Sequence, residues 1–243
     1  MNKRFLFKAL LFFLLSTALL IALAYLFGAI TPRTWEQGEA SDASAAPSYT
    51  TVILDAGHGG EDGGASSASG LLEKDLNLDV ALKTRDLLRA SGVEVVMTRE
   101  DDRLLYDPSS DYHGQMKKQD LATRLSVTEQ TEGAILVSIH MNYFPDSRYG
   151  GLQVWYSPNS ADSLLLADTV QGNARKLLQP DNKRQTKSAG SSIFLLHRAK
   201  CPAVLVECGF LSNEEEASRL ASEEYRQKVA FTLFCSIMEF LDK

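Results

Sequence analysis

Apolar residues fall into three patterns along this chain: one long uncharged run, several short solid blocks, and stripes at helical spacing. The long run covers residues 9–30 and follows Asn2, Lys3 and Arg4. It is long enough to cross a bilayer as a helix, and the positive start suits export. Two outcomes are consistent with it, an uncleaved signal-anchor or a signal peptide cut at Ala22-Leu23-Ala24. That small-residue site lies inside the apolar run, which favours the anchor. Residues 31–48 are small and polar, rich in Ala, Ser and Pro, and predict a flexible linker. Residues 49–243 are left for the domain.

The short blocks are Val52-Ile53-Leu54, residues 135–139 and residues 202–206. None alternates with polar residues, which predicts strands buried on both faces. Between the first two, Leu76, Val80 and Leu87, flanked by Ala81 and Leu88, form a helical stripe that opens near Glu73 and stops at Ser91-Gly92. Further helices are expected over 119–129, 160–178 and 223–241, with Ser212-Asn213 capping a short acidic one. Weaker strands are expected over 93–98, 152–156 and 193–196, the second alternating as a sheet edge does. Residues 99–118 are charged and contain Pro108 and Gly114, so they predict a long exposed loop at the rim of a cleft. Alternating strand and helix predicts an α/β fold: a single domain with a mostly parallel central sheet flanked by helices.

Composition narrows the function. The chain has 243 residues, 44% hydrophobic, enough for one sizeable core. A net charge of −6 and no long basic run argue against nucleic acid. Cys201, Cys208 and Cys235 have no metal-type spacing, and Cys201 and Cys208 bracket an extended strand beyond disulfide reach; buried free thiols are expected.

The candidate chemistry sits at the ends of the solid blocks. His58 follows the first, in a run with Gly57, Gly59 and Gly60 whose glycines let the chain turn back towards Glu73. His140 ends the second and Glu207 the third. Ligands of open parallel sheets bind outside the strands' carboxyl ends, so these groups are expected to meet in one crevice. Two imidazoles and a carboxylate, His58, His140 and Glu73, suit one Zn²⁺ with a position left open. Glu207 is then the carboxylate that takes a proton from water and passes it to the leaving amine, with a fourth-ligand or structural role as the alternative. Taken singly, each histidine reads as structural and Glu73 as a helix-start acid; their joint placement at one edge is what argues for a site. His113, in the charged loop, and His197, beside Arg198 and Lys200, are expected to lie outside it. The basic stretch with Lys183, Arg184 and Lys187 is either a contact for an anionic sugar-peptide chain or a solvated loop.

At these residues the sequence resembles the zinc-dependent N-acetylmuramoyl-L-alanine amidases of the amidase-3 family. Asp55, Gly57, His58, Gly59 and Gly60 fit its strand-end pattern, Ser138, His140 and Asn142 a second motif, and Pro202, Glu207, Gly209, Phe210, Ser212 and Asn213 a third. Ala56 stands where relatives commonly carry proline. The resemblance implies hydrolysis of the amide between N-acetylmuramic acid and L-alanine, with peptidoglycan as the partner. The run GLLEKDLNL and the lack of wall-binding repeats look most like the spore-cortex, germination-specific members. These imply a cortex substrate, a later muramic-δ-lactam, and an exported enzyme that is membrane-anchored or secreted. An activating protein partner is not legible. The competing readings are a catalytically silent peptidoglycan- or partner-binding protein, a vegetative wall amidase, and a zinc peptidase acting on a different amide. Residues 157–192 leave room for one helix and a basic loop, so no inserted helix is expected over the site.

Overall fold

The computed structural model describes residues 48–107, 109 and 115–242. The predicted anchor, nearly all of the linker, and His113 lie outside the described residues. Among the described residues no helix is long and apolar enough to cross a membrane.

The elements in chain order are β1 (Thr51–Ala56), α1 (Glu73–Ala90), β2 (Glu94–Met97), α2 (Met116–Gln130), β3 (Ala134–Asn142), β4 (Gln153–Tyr156), α3 (Ala161–Leu177), β5 (Lys187–Ser188), α4 (Phe194–Arg198), β6 (Ala203–Phe210), α5 (Glu214–Ala221) and α6 (Glu223–Leu241). The strands form one sheet in the order β2-β1-β3-β6-β4-β5. All pairs are parallel except β4 with β6. The three solid blocks are therefore the adjacent central strands β1, β3 and β6, where both faces are covered and polar alternation has no use.

Successive side chains of a strand point to opposite faces, and the two faces have separate cores. Val52, Leu54, Val137, Ile139, Val204 and Val206 pack on one side with α1 residues Leu76 and Val80 and α6 residues Leu233 and Ile237. Ile53, Leu136 and Leu205 pack on the other with Leu125 of α2 and Leu195 and Leu196 of α4. Continued in steps of two, this second face carries Asp55, Ser138, His140 and Glu207 towards the strands' carboxyl ends.

Four expectations need correction. Residues 193–196 are not a strand: Ile193 N–H bonds to Gly190 O at 3.1 Å and His197 N–H to Ile193 O at 2.9 Å, opening α4. A four-residue apolar run has no period of its own, and here helical geometry buries Leu195 and Leu196 together against the sheet. Strand β4 is not the edge, because the two-residue β5 pairs beyond it. The loop after β2 is exposed over residues 100–103, but Arg99 and Leu104 on either side of them are buried. Of the three free thiols only Cys208 is buried; Cys201 and Cys235 are half-buried.

Candidate active site

Strand β1 has β2 on one side and β3 on the other, so the chain order reverses between β1 and β3. Such a reversal opens a crevice at the carboxyl ends of the two strands. His58 stands two residues past β1, and His140 lies near the end of β3. Glu73 is the first residue of α1, which returns over this edge.

These three residues meet. His58 Nε2 lies 3.2 Å and His140 Nδ1 2.9 Å from Glu73 Oε1, and one ligand atom from each residue falls within 4.8 Å of the others. The imidazoles stand edge to face, with centroids 5.1 Å apart. Glu73 Oε1 also accepts from Met141 N–H at 3.1 Å, and Oε2 from Ala65 N–H at 2.8 Å. Burial by itself would raise the Glu73 carboxyl, yet hydrogen bonds from His140 and His58 hold it well below the usual carboxylate range. Two imidazole nitrogens and an ionised carboxylate converging at this spacing could hold a metal ion, and their type and number suit zinc. The side chains of His58 and His140 keep 17% and 20% exposure, so among the described residues the cluster reaches solvent.

The loop carrying His58 is shaped for this. His58 has φ 61, a left-handed conformation uncommon outside glycine. A Cβ on Gly57 would lie 2.2 Å from the His140 ring, so only glycine lets β1 and the second imidazole approach. His58 Nδ1 is 2.9 Å from Asp62 Oδ2, which turns Nε2 inward to Glu73. Lys117 Nζ approaches the same Asp62 oxygen at 3.1 Å.

Two buried arginines, missed by sequence reasoning, hold that loop. Arg124 of α2 donates to Ala56 O at 2.8 Å and His58 O at 2.7 Å, and pairs with Asp55 at 2.6 Å and Asp120 at 2.8 Å. Arg99 donates to Ala56 O at 2.8 Å and Gly57 O at 3.0 Å. Three successive carbonyls, those of residues 56–58, thus end on guanidinium groups, whose several donors in a rigid fork suit the task. Asp55 further accepts from Ser138 Oγ at 2.5 Å and Thr98 Oγ1 at 2.8 Å.

Glu207 is in register with His140 on β3 and with Gln153 on β4. Its Oε2 is buried without a hydrogen-bond partner among the described residues. Burial pushes the carboxyl up to about 7, with the Glu73 charge adding to the rise while His140 and His58 oppose it. It lines a cavity of about 290 Å³ together with His58, His140, Lys117 and the α4 residues Phe194 and Leu195. Asn77 supports the centre, donating to Gly57 O at 3.1 Å. In the basic loop Lys183 and Lys187 are exposed, Lys187 lying over Trp155, while Arg184 turns in to reach Gly150 O at 2.7 Å and stacks over Phe210.

Residues 52–238 match the family described as N-acetylmuramoyl-L-alanine amidase, amidase-3. The chain is 35% identical over 189 residues to the germination-specific N-acetylmuramoyl-L-alanine amidase of Bacillus subtilis, covering 78% of each protein. Among solved structures it is similar to the CwlD amidase from Clostridioides difficile in complex with the GerS lipoprotein, with a TM-score of 0.75 and 38% identity over 79% of this chain and 98% of that one. It is similar too to the amidase AmiC2 of Nostoc punctiforme, with a TM-score of 0.68 and 29% identity over 79% and 97%. The fold, the cleft and these likenesses agree, and the chain belongs to the amidase-3 family of N-acetylmuramoyl-L-alanine amidases, enzymes of peptidoglycan.

Proposed function

We propose that His58, Glu73 and His140 hold one Zn²⁺ and that Glu207 is the proton-transferring acid-base of muramoyl-alanine amide hydrolysis. The observation that carries this is the buried Glu207 Oε2, which has no hydrogen-bond partner among the described residues and lines the cavity of the two histidines. Desolvating a carboxylate oxygen without a partner costs stability, and such a cost is retained where the oxygen has a reaction partner. Bound zinc supplies Lewis acidity, polarising the amide carbonyl and making water a better nucleophile. Glu207 accepts the attacking water's proton and delivers it to the alanine nitrogen as the C–N bond breaks, leaving the muramic carboxylate and a free amine. Asp62 orients the His58 ring, and Arg99 and Arg124 keep the 56–58 carbonyls from turning into the cleft.

The cellular setting belongs to the same reading. The likeness to the germination-specific enzyme supports a spore-cortex substrate, whose peptide-free muramic acid is the compound from which muramic-δ-lactam is closed. The apolar run at 9–30 supports export, with the domain anchored to or released from the membrane. The C. difficile enzyme, solved with a lipoprotein, supports a membrane-side protein partner. Mass spectrometry of purified peptidoglycan incubated with the zinc-loaded chain tests the chemistry: free stem peptides and peptide-free muramic acid are expected, and cleavage within the peptide instead would overturn it. Cortex from spores lacking the protein is expected to contain no muramic-δ-lactam, and normal lactam would exclude the cortex role.

A further inference from the structure

Three segments that carry the centre continue into a second groove. The loop after Gly64, whose Ala65 N–H holds Glu73, runs on through Ser66 and Ser69; β3 passes His140 to Tyr143; β6 passes Glu207 to Ser212. Together they line a groove of about 1400 Å³ with Glu214 and Glu215. It therefore adjoins the catalytic cleft along the carboxyl edge of the sheet.

Three aromatic residues stand at this edge. Tyr143, Phe144 and Tyr149 are 54%, 45% and 49% exposed, and the rings of Phe144 and Tyr149 meet edge to face at 4.7 Å. Their loop is fixed: Phe144 N–H donates to Ser212 Oγ at 3.1 Å, and Asn213 Nδ2 to Ser147 O at 2.9 Å and Tyr149 O at 3.3 Å. Asn213 meanwhile caps α5 by accepting from Glu216 N–H at 3.0 Å. Exposed aromatic surface is unfavourable in water, and a cluster held rigidly at a cleft marks a contact surface. Ser212 and Asn213 act here as the braces of that surface.

We infer that this groove binds the glycan strand of the substrate, with Tyr143 as the platform that lines it for a sugar ring and Phe144 flanking it in the same loop, an inference that rests on the proposed amidase reading. Aromatic faces attract the polarised C–H faces of pyranose rings, and the serine hydroxyls suit sugar hydroxyls and acetamido groups. The charge separates the glycan from the other half of the substrate. The groove's charged lining is Glu214, Glu215 and Arg219, and Arg219 is already engaged by Glu215 at 3.4 Å and Glu216 at 3.5 Å. A net negative wall repels a peptide bearing carboxylates and admits neutral N-acetyl sugars.

The test uses the full zinc-loaded chain on intact peptidoglycan strands, and a peptide-free β-1,4-linked N-acetylglucosamine tetramer as the binding probe. A Tyr143→Ala/Phe144→Ala variant is expected to raise KM for strands by about tenfold with kcat little changed, while Tyr143→Phe retains the wild-type KM. In the wild type the tetramer is expected to shift NMR signals of the 143–149 loop. An unchanged strand KM, a collapse of kcat in place of a KM effect, or tetramer shifts confined to other surfaces would overturn the proposal. Failure of the amidase reading looks different: the wild type then releases no stem peptide, whether or not the tetramer binds the groove.

Discussion

His140 and Glu207 are paired in register on adjacent parallel strands. One imidazole of the centre and the buried acid are thereby fixed relative to each other by backbone ladder hydrogen bonds, not by loop conformation. The shared strand face carries the consequence further, since Ser138 and Asp55 follow in the same register one step below. The catalytic end of the sheet is a single ruled surface, and changes to it are expected to act locally.

Glu207→Gln keeps the side chain's shape and removes its proton affinity. Turnover of peptidoglycan is expected to fall by about 10²–10⁴-fold, the range for losing a positioned acid-base group. Zinc content should be unchanged, and thermal unfolding should come no earlier than in the wild type, because the neutral amide avoids burying an unpartnered carboxylate. Unimpaired turnover would assign the proton transfer to another group.

His140→Ala removes a donor of the cluster and is expected to abolish stoichiometric zinc in metal analysis of the purified chain. Asp62→Ala leaves all three donors but frees the His58 ring, so zinc affinity is expected to fall by about 10–100-fold. Equal affinities for Asp62→Ala and wild type would show that the 2.9 Å contact does not orient the ligand.

Gly57→Ala is the smallest change that addresses the packing of the site. The added methyl would lie 2.2 Å from His140 Cε1 and 2.3 Å from Nε2, so the imidazole must leave its place. Zinc affinity is expected to drop while the circular dichroism spectrum stays unchanged. Retained affinity would mean that the β1 end can move away from β3.

His58 and His140 could be singled out in the sequence because each follows a solid apolar block, where the buried strand must stop and polar chemistry can begin, and Glu73 because it opens the helical stripe of α1. The central strands β1, β3 and β6 and the stripe of α1 were legible for the same reason. Residues 193–196 were misread because four apolar residues satisfy a strand and one helical turn equally, and the choice is made by burying Leu195 and Leu196 together against the sheet. Arg99 and Arg124 were invisible for a different reason: an arginine is buried only when partners from distant segments surround it, here Asp55, Asp120 and three backbone carbonyls. Nothing local in the sequence announces such partners. The aromatic loop at 143–149 likewise takes its shape from distant partners, Ser212 and Asn213.

Arg124→Met replaces a buried cation by an apolar side chain of similar length and strands Asp55 and Asp120. Removing one partner of a buried ion pair costs about 3–5 kcal/mol, so a large fall in the urea midpoint is expected. A change within about 0.5 kcal/mol would mean that the network is solvated in solution.

Acid stability follows from the same network with a definite sign. Burial raises the Asp55 carboxyl, but the Arg124 charge and the Ser138 hydrogen bond prevail and hold it at about 2 against an ordinary 3.8. The folded chain therefore takes up this proton less readily than the unfolded one. Its contribution is fully present above the ordinary value and is lost as pH falls towards about 2, amounting to about 2 kcal/mol. Urea unfolding followed from about pH 5 to about pH 2 should show stability falling through this window. Asp55→Asn should be less stable at neutral pH, because Arg124 loses a charged partner, yet should lose less on acidification, because the titrating group is gone. Parallel losses in the two proteins would place the acid sensitivity on other carboxylates.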